Sequence, residues 1–121
     1  MIKVELSEFE KLVKQALLDL PPHIFKEIDN AVIVVEDKPP RQTLLGLYQG
    51  VPKTVWGRGF GQILPDKITI FQEPIQKLAS TPEDIREIVK MVVWHEVAHH
   101  FGFDEKGVRK LEAKWRQKKK R

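Results

Sequence analysis

Hydrophobic residues recur at helical spacing near the start of the chain. Between residues 9 and 20 they repeat with the period of a helix and stop at two prolines, which is typical of an amphipathic helix with one buried face. Ser7 and Glu10 form a capping-box pattern before this series, so we expect them to start the helix. Pro22 is suited to the first turn of a second, short helix.

Three shorter stretches have the composition of strands. A β-branched run covers residues 31–35, a second candidate covers 44–49, and residues 67–71 alternate around two isoleucines. We expect the third strand to offer an edge along which an extended peptide could pair. We predict a long glycine-containing loop over residues 50–65, and such loops are usually functional or mobile. Its glycines do not have the spacing of a dinucleotide-binding motif, and no Gly-Lys-Ser/Thr follows them as in a phosphate-binding loop. We therefore do not expect nucleotide binding.

The clearest helix start lies at residues 81–84, where a threonine cap is followed by proline and two acidic residues. A short helical turn beginning at Pro74 precedes it. The helix that starts at Pro82 carries five residues at steps of three and four, and they therefore share one face. These are Ile85, Ile88, Val92, His95 and His99. Since the upstream part of this face is apolar, the two histidines should lie in a partly enclosed site.

Residues 95–99 form a His-Glu-x-x-His motif, for which a chance occurrence in a chain of this composition has a probability of about 1%. Two imidazoles one helical turn apart can bind the same zinc ion, and Glu96 is placed to act as general base toward a water activated by the metal. Gly102 is expected to end the helix and reverse the chain. That turn would bring Glu105, or alternatively Asp104, to the metal as third ligand.

Other residues near the motif have structural interpretations. His100 lies on a different face, and we expect it on the surface or supporting the site without binding metal. Trp94 and Phe101 should pack in the core. Tyr48 could donate a hydrogen bond to a tetrahedral intermediate, although packing is the favoured role. His23 is expected to be solvated.

Composition restricts the possible chemistry and suggests the organisation of the chain. The 121 residues contain no cysteine, so any metal must be bound by histidines and carboxylates. We predict one domain over residues 1–115 and a basic tail over 116–121. Residues 106–121 carry a net charge of +8 and residues 1–105 carry −4. A tail of this charge could contact nucleic acid, but a solvated terminus is the favoured interpretation. Without an apolar run of membrane-spanning length, the cytoplasm is the expected location.

Three segments resemble the minimal-zincin family of small bacterial metallopeptidases: residues 95–105 (HEVAHHFGFDE), 64–75 (LPDKITIFQEPI) and 46–52 (GLYQGVP). The resemblance implies a compact α+β domain in which a sheet of three or four strands packs against N-terminal helices and a central motif helix, with a C-terminal helix following. It also implies one metal ion per chain, bound by His95, His99 and Glu105, and a peptide or protein substrate. Zinc is the expected metal, although these donors also suit other divalent ions.

Two other classes of protein share parts of this pattern. Residues 102–105 are similar to the end of the motif in rRNA-processing endoribonucleases, and the basic tail would suit an RNA substrate. That family lacks a glutamate after the first histidine and ends its motif in histidine, whereas this chain has Glu96 and Glu105. A metal-stabilised binding module without turnover is the third possibility, but it would have no need for a carboxylate such as Glu96.

Overall fold

The computed structural model describes residues 2–28, 31–41, 44–50, 66–102 and 105–119. They form an α+β fold with five helices and one three-stranded sheet, which confirms the predicted fold class. In chain order the elements are α1 (Leu6–Leu18), α2 (Pro22–Glu27), β1 (Ala31–Glu36), β2 (Gly46–Gln49), β3 (Asp66–Phe71), α3 (Gln72–Leu78), α4 (Pro82–His100) and α5 (Glu105–Lys119).

The sheet has the strand order β1-β3-β2, and β3 is its central strand. β1 runs parallel to β3, and β2 runs antiparallel to it, with Tyr48 opposite Ile68. The expectation that the third strand has a free edge is therefore wrong, because β3 is paired on both sides. Its burial fits a central position, since Lys67 is the only exposed residue in the strand. Among the strands that the structure describes, β2 is the one at the edge beside the motif helix. Residues 51–65 of the predicted loop lie outside the described residues.

Helix α4 lies at the centre of the core, where it contacts α1, α3, α5, β2 and β3. Trp94 is 2% exposed, and its indole nitrogen donates to the carbonyl of Ala16 on α1 at 2.9 Å. Phe101 packs against the same core. The predicted packing roles of Trp94 and Phe101 are thus confirmed. Full burial of a large apolar side chain contributes about 1.5–3 kcal/mol, so this core holds the motif helix firmly.

The starts of α1 and α4 differ in how they are capped. The predicted capping box of α1 is wrong, because the helix begins at Leu6 after Glu5 and Ser7 already lies inside its first turn, with no side-chain cap. The predicted start of α4 is confirmed. The hydroxyl of Thr81 accepts from the backbone nitrogen of Asp84 at 3.1 Å, and the Asp84 carboxylate accepts from the backbone nitrogen of Thr81 at 3.2 Å.

Helix α5 continues through Lys119. The proposed division between residues 115 and 116 remains a prediction. Within the part of the chain that the structure describes, no helix is both long and apolar enough to cross a membrane.

Candidate functional site

The last two turns of α4 place His95, Glu96 and His99 close together. The two imidazole rings have centroids 5.0 Å apart and are inclined at 71°. Both histidines are half-buried, and Glu96 is only 8% exposed. The helical face predicted from the sequence therefore carries the two histidines at the boundary between core and solvent, and the more deeply buried Glu96 lies beside them.

Strand β2 runs beside this part of α4, and together they form a pocket of about 320 Å³. It is lined by Leu44, Gly46, Leu47, Tyr48, His95, Glu96 and His99. The strand approaches the helix closely at Gly46, where an added Cβ would lie 2.7 Å from Val92 Cγ1 and 3.2 Å from Glu96 Cγ. Glycine at this position therefore allows β2 to pass directly over the glutamate of the motif.

The chain reverses after α4 as predicted. Gly102 has a φ of 90°, which favours glycine, and its backbone nitrogen donates to the carbonyl of His99 at 2.9 Å. Helix α5 then begins at Glu105. Asp104 and the Glu105 side chain lie outside the described part of the structure, so the third ligand remains a prediction. Among the described residues, no group of three or more His, Asp or Glu side chains could hold a metal ion.

Glu112 was not among the predicted site residues. It lies on α5, is 6% exposed, and its Oε1 is 3.1 Å from Nδ1 of His95. The sequence did contain a signal for it. Glu112 follows Val108 by four residues, so it falls on the apolar face of α5, where a carboxylate requires a partner.

A second buried network lies behind the pocket. Asp66 and His100 are both 0% exposed, and Asp66 Oδ2 is 2.7 Å from His100 Nδ1. The hydroxyl of Tyr48 donates to the same oxygen at 2.8 Å. Of the two alternatives expected for His100, the surface position is wrong, because its side of α4 faces the sheet. A supporting role at the site remains a prediction. Tyr48 does line the pocket, but its hydroxyl donates to Asp66, and its role toward an intermediate remains a prediction. His23 is exposed, as expected.

The residues present fit a zinc site. Because Nδ1 of His95 faces Glu112, Nε2 is the ring nitrogen suited to bind metal. His99 supplies a second imidazole one turn further along, and residues 104 and 105 are both acidic. Two histidines and a carboxylate, with one position left open, form a donor set typical of catalytic zinc.

The sequence model of the zincin-like metallopeptidase family matches residues 28–115. This range includes all three strands, the His-Glu-x-x-His motif and most of α5. The chain therefore belongs to the zincin-like metallopeptidase family, which confirms the resemblance seen in its motifs. No curated protein matches the chain.

Proposed function

We propose that this chain is a zinc-dependent peptidase in which Glu96 is the general base. The observation that carries the proposal is the position of Glu96 between two histidines in a pocket covered by a sheet edge. Membership of the zincin-like metallopeptidase family supports the same reaction class. A purely structural metal site would have no need for Glu96, a nearly buried carboxylate beside its two histidines.

In this proposal His95, His99 and either Glu105 or Asp104 hold one zinc ion. Zinc would polarise the carbonyl group of the scissile peptide bond and make water a stronger acid. Glu96 accepts a proton from the attacking water and passes it to the leaving amine. Low exposure keeps bulk water from competing for this carboxylate, while the open side of the pocket admits the substrate.

The substrate in this proposal is an extended peptide lying along β2. Residues 46–48 belong to this strand and also line the pocket, and β2 is at one end of the strand order. An extended peptide can add to such an edge through backbone hydrogen bonds. That arrangement would place a peptide bond next to Glu96 without requiring a particular side chain.

Substitution of Glu96 by glutamine tests the role of the base. We expect Glu96→Gln to keep its zinc and to lose turnover by about 100-fold or more, because general-base catalysis contributes about 10²–10⁴-fold. Cleavage would be followed by mass spectrometry on a mixture of synthetic peptides. Glu87→Gln is the matched control, because Glu87 is an exposed glutamate on the same helix. Full activity in zinc-loaded Glu96→Gln would contradict the proposal, as would zinc binding with no cleavage by any variant.

A further inference from the structure

Helix α5 buries a carboxylate on a face where the other buried side chains described, within residues 106–114, are apolar. Glu112 is 6% exposed and shares its side of α5 with Val108, which is 0% exposed, and with the half-buried Leu111. Its neighbour Ala113 is exposed. Transfer of an ionised carboxylate out of water costs several kcal/mol unless the group is paired and hydrogen-bonded. A glutamate on this face therefore requires a specific partner.

One partner of Glu112 is His95, a residue of the proposed zinc site. Glu112 Oε1 lies 3.1 Å from Nδ1 of His95, across 17 residues of chain. A carboxylate in this position favours the tautomer of imidazole that has its proton on Nδ1. The lone pair is then on Nε2, on the far side of the ring from Glu112. The contact with Glu112 therefore determines which nitrogen of His95 is available to a metal.

We propose that Glu112 is a positioning residue: it orients His95 and holds the tautomer that leaves Nε2 for the metal. This inference rests on the proposed function, since it assigns Glu112 a role toward the same zinc ion. Partners of this kind typically change metal affinity by about 10–100-fold. The contact also connects α5 to α4 at His95, a proposed metal ligand. The docking of α5 and the affinity for zinc are therefore coupled.

A merely structural role for the pair makes a different prediction. If the contact only held α5 against α4, then loss of the carboxylate would lower the stability of the metal-free protein and leave the zinc affinity of the folded protein unchanged. Zinc affinity and metal-free stability must therefore be measured on the same variants.

The experiment is a zinc titration of the full chain without a histidine tag, in competition with a chromogenic chelator. We expect Glu112→Gln, which keeps the size but not the charge of the side chain, to bind zinc about 10–100-fold more weakly. Glu112→Asp keeps the charge and should recover part of the affinity. Lys110→Gln, at an exposed position on the same helix, should bind zinc like the unaltered chain. Urea unfolding of the zinc-free forms would report the structural contribution.

A second measurement uses the unaltered protein and so does not depend on the folding of a variant. In the zinc-loaded chain, long-range ¹⁵N NMR should show His95 protonated at Nδ1 and metal-bound at Nε2. Metal on Nδ1 would overturn the proposal, and so would zinc affinity of Glu112→Gln within about two-fold of the unaltered chain. In either case zinc-dependent peptidase activity would still stand. Absence of zinc binding by the unaltered chain would instead overturn the proposed function and this inference together.

Discussion

Replacement of Tyr48 by phenylalanine removes one hydrogen bond from a carboxylate that has no access to solvent. Asp66 is 0% exposed and its Oδ2 accepts from the Tyr48 hydroxyl at 2.8 Å. Hydrogen bonds to charged groups contribute about 1.5–3 kcal/mol, and a domain of this size has a total stability of roughly 5–15 kcal/mol. We therefore expect Tyr48→Phe to lose about 1.5–3 kcal/mol and to melt about 5–12 °C lower.

The assay is urea unfolding of the metal-free chain, followed by circular dichroism. Ser80→Ala, which removes a hydroxyl from an exposed residue, is the control and should stay within about 0.5 kcal/mol of the unaltered chain. A loss below about 0.5 kcal/mol for Tyr48→Phe would refute the reasoning, because the buried carboxylate would then not depend on the hydroxyl.

His100 is a second partner of Asp66 and provides an independent test of how much this buried carboxylate depends on its contacts. His100→Gln removes the imidazole that lies 2.7 Å from Asp66 Oδ2 and should cost about 1.5–3 kcal/mol, the range for loss of a hydrogen bond to a buried carboxylate. The loss in the double variant with Tyr48→Phe should differ from the sum of the two single losses, because both contacts act through the same oxygen. Strict additivity would show that the two contacts are independent.

Three further substitutions test the packing around the motif helix. Gly46→Ala places a methyl group 2.7 Å from Val92 Cγ1, so it should cost about 1–3 kcal/mol and reduce peptide cleavage; an unchanged melting temperature would contradict the close approach of β2. Thr81→Ala removes the acceptor for the Asp84 backbone nitrogen and should lower the free energy of unfolding in urea by about 0.5–2 kcal/mol. An unchanged free energy of unfolding would contradict the role of this cap. Ile85→Ala removes most of a side chain that is 0% exposed and leaves a cavity, so it should lower the free energy of unfolding by about 2–5 kcal/mol in calorimetry. A smaller loss would mean that the core collapses into the cavity.

Elements whose signals are local could be predicted from the sequence. The cap at Thr81 and the left-handed Gly102 are set by a few adjacent residues, and both were predicted correctly. The histidine pair was also found, because a spacing of four residues on a helix fixes two side chains on the same face. In each case the pattern and the structure it produces lie within one or two turns.

Features that depend on tertiary packing could not be predicted in the same way. The central position of β3 follows from the strand order, which the pattern within each strand does not specify. Asp66 and His100 are 34 residues apart, and the sequence around each residue does not indicate the other as its partner. The contact between Glu112 and His95 likewise depends on how α5 docks against α4. The apolar face of α5 showed that Glu112 needs a partner, but not which residue that partner is.

The most direct test of the account is the metal content of protein purified without a histidine tag, measured by elemental analysis for the unaltered chain and for His99→Ala. The account predicts roughly one zinc ion per unaltered chain and little or none in the variant. Equal zinc in both proteins, or none in the unaltered chain after zinc has been supplied, would contradict the proposal that His95 and His99 form a metal site.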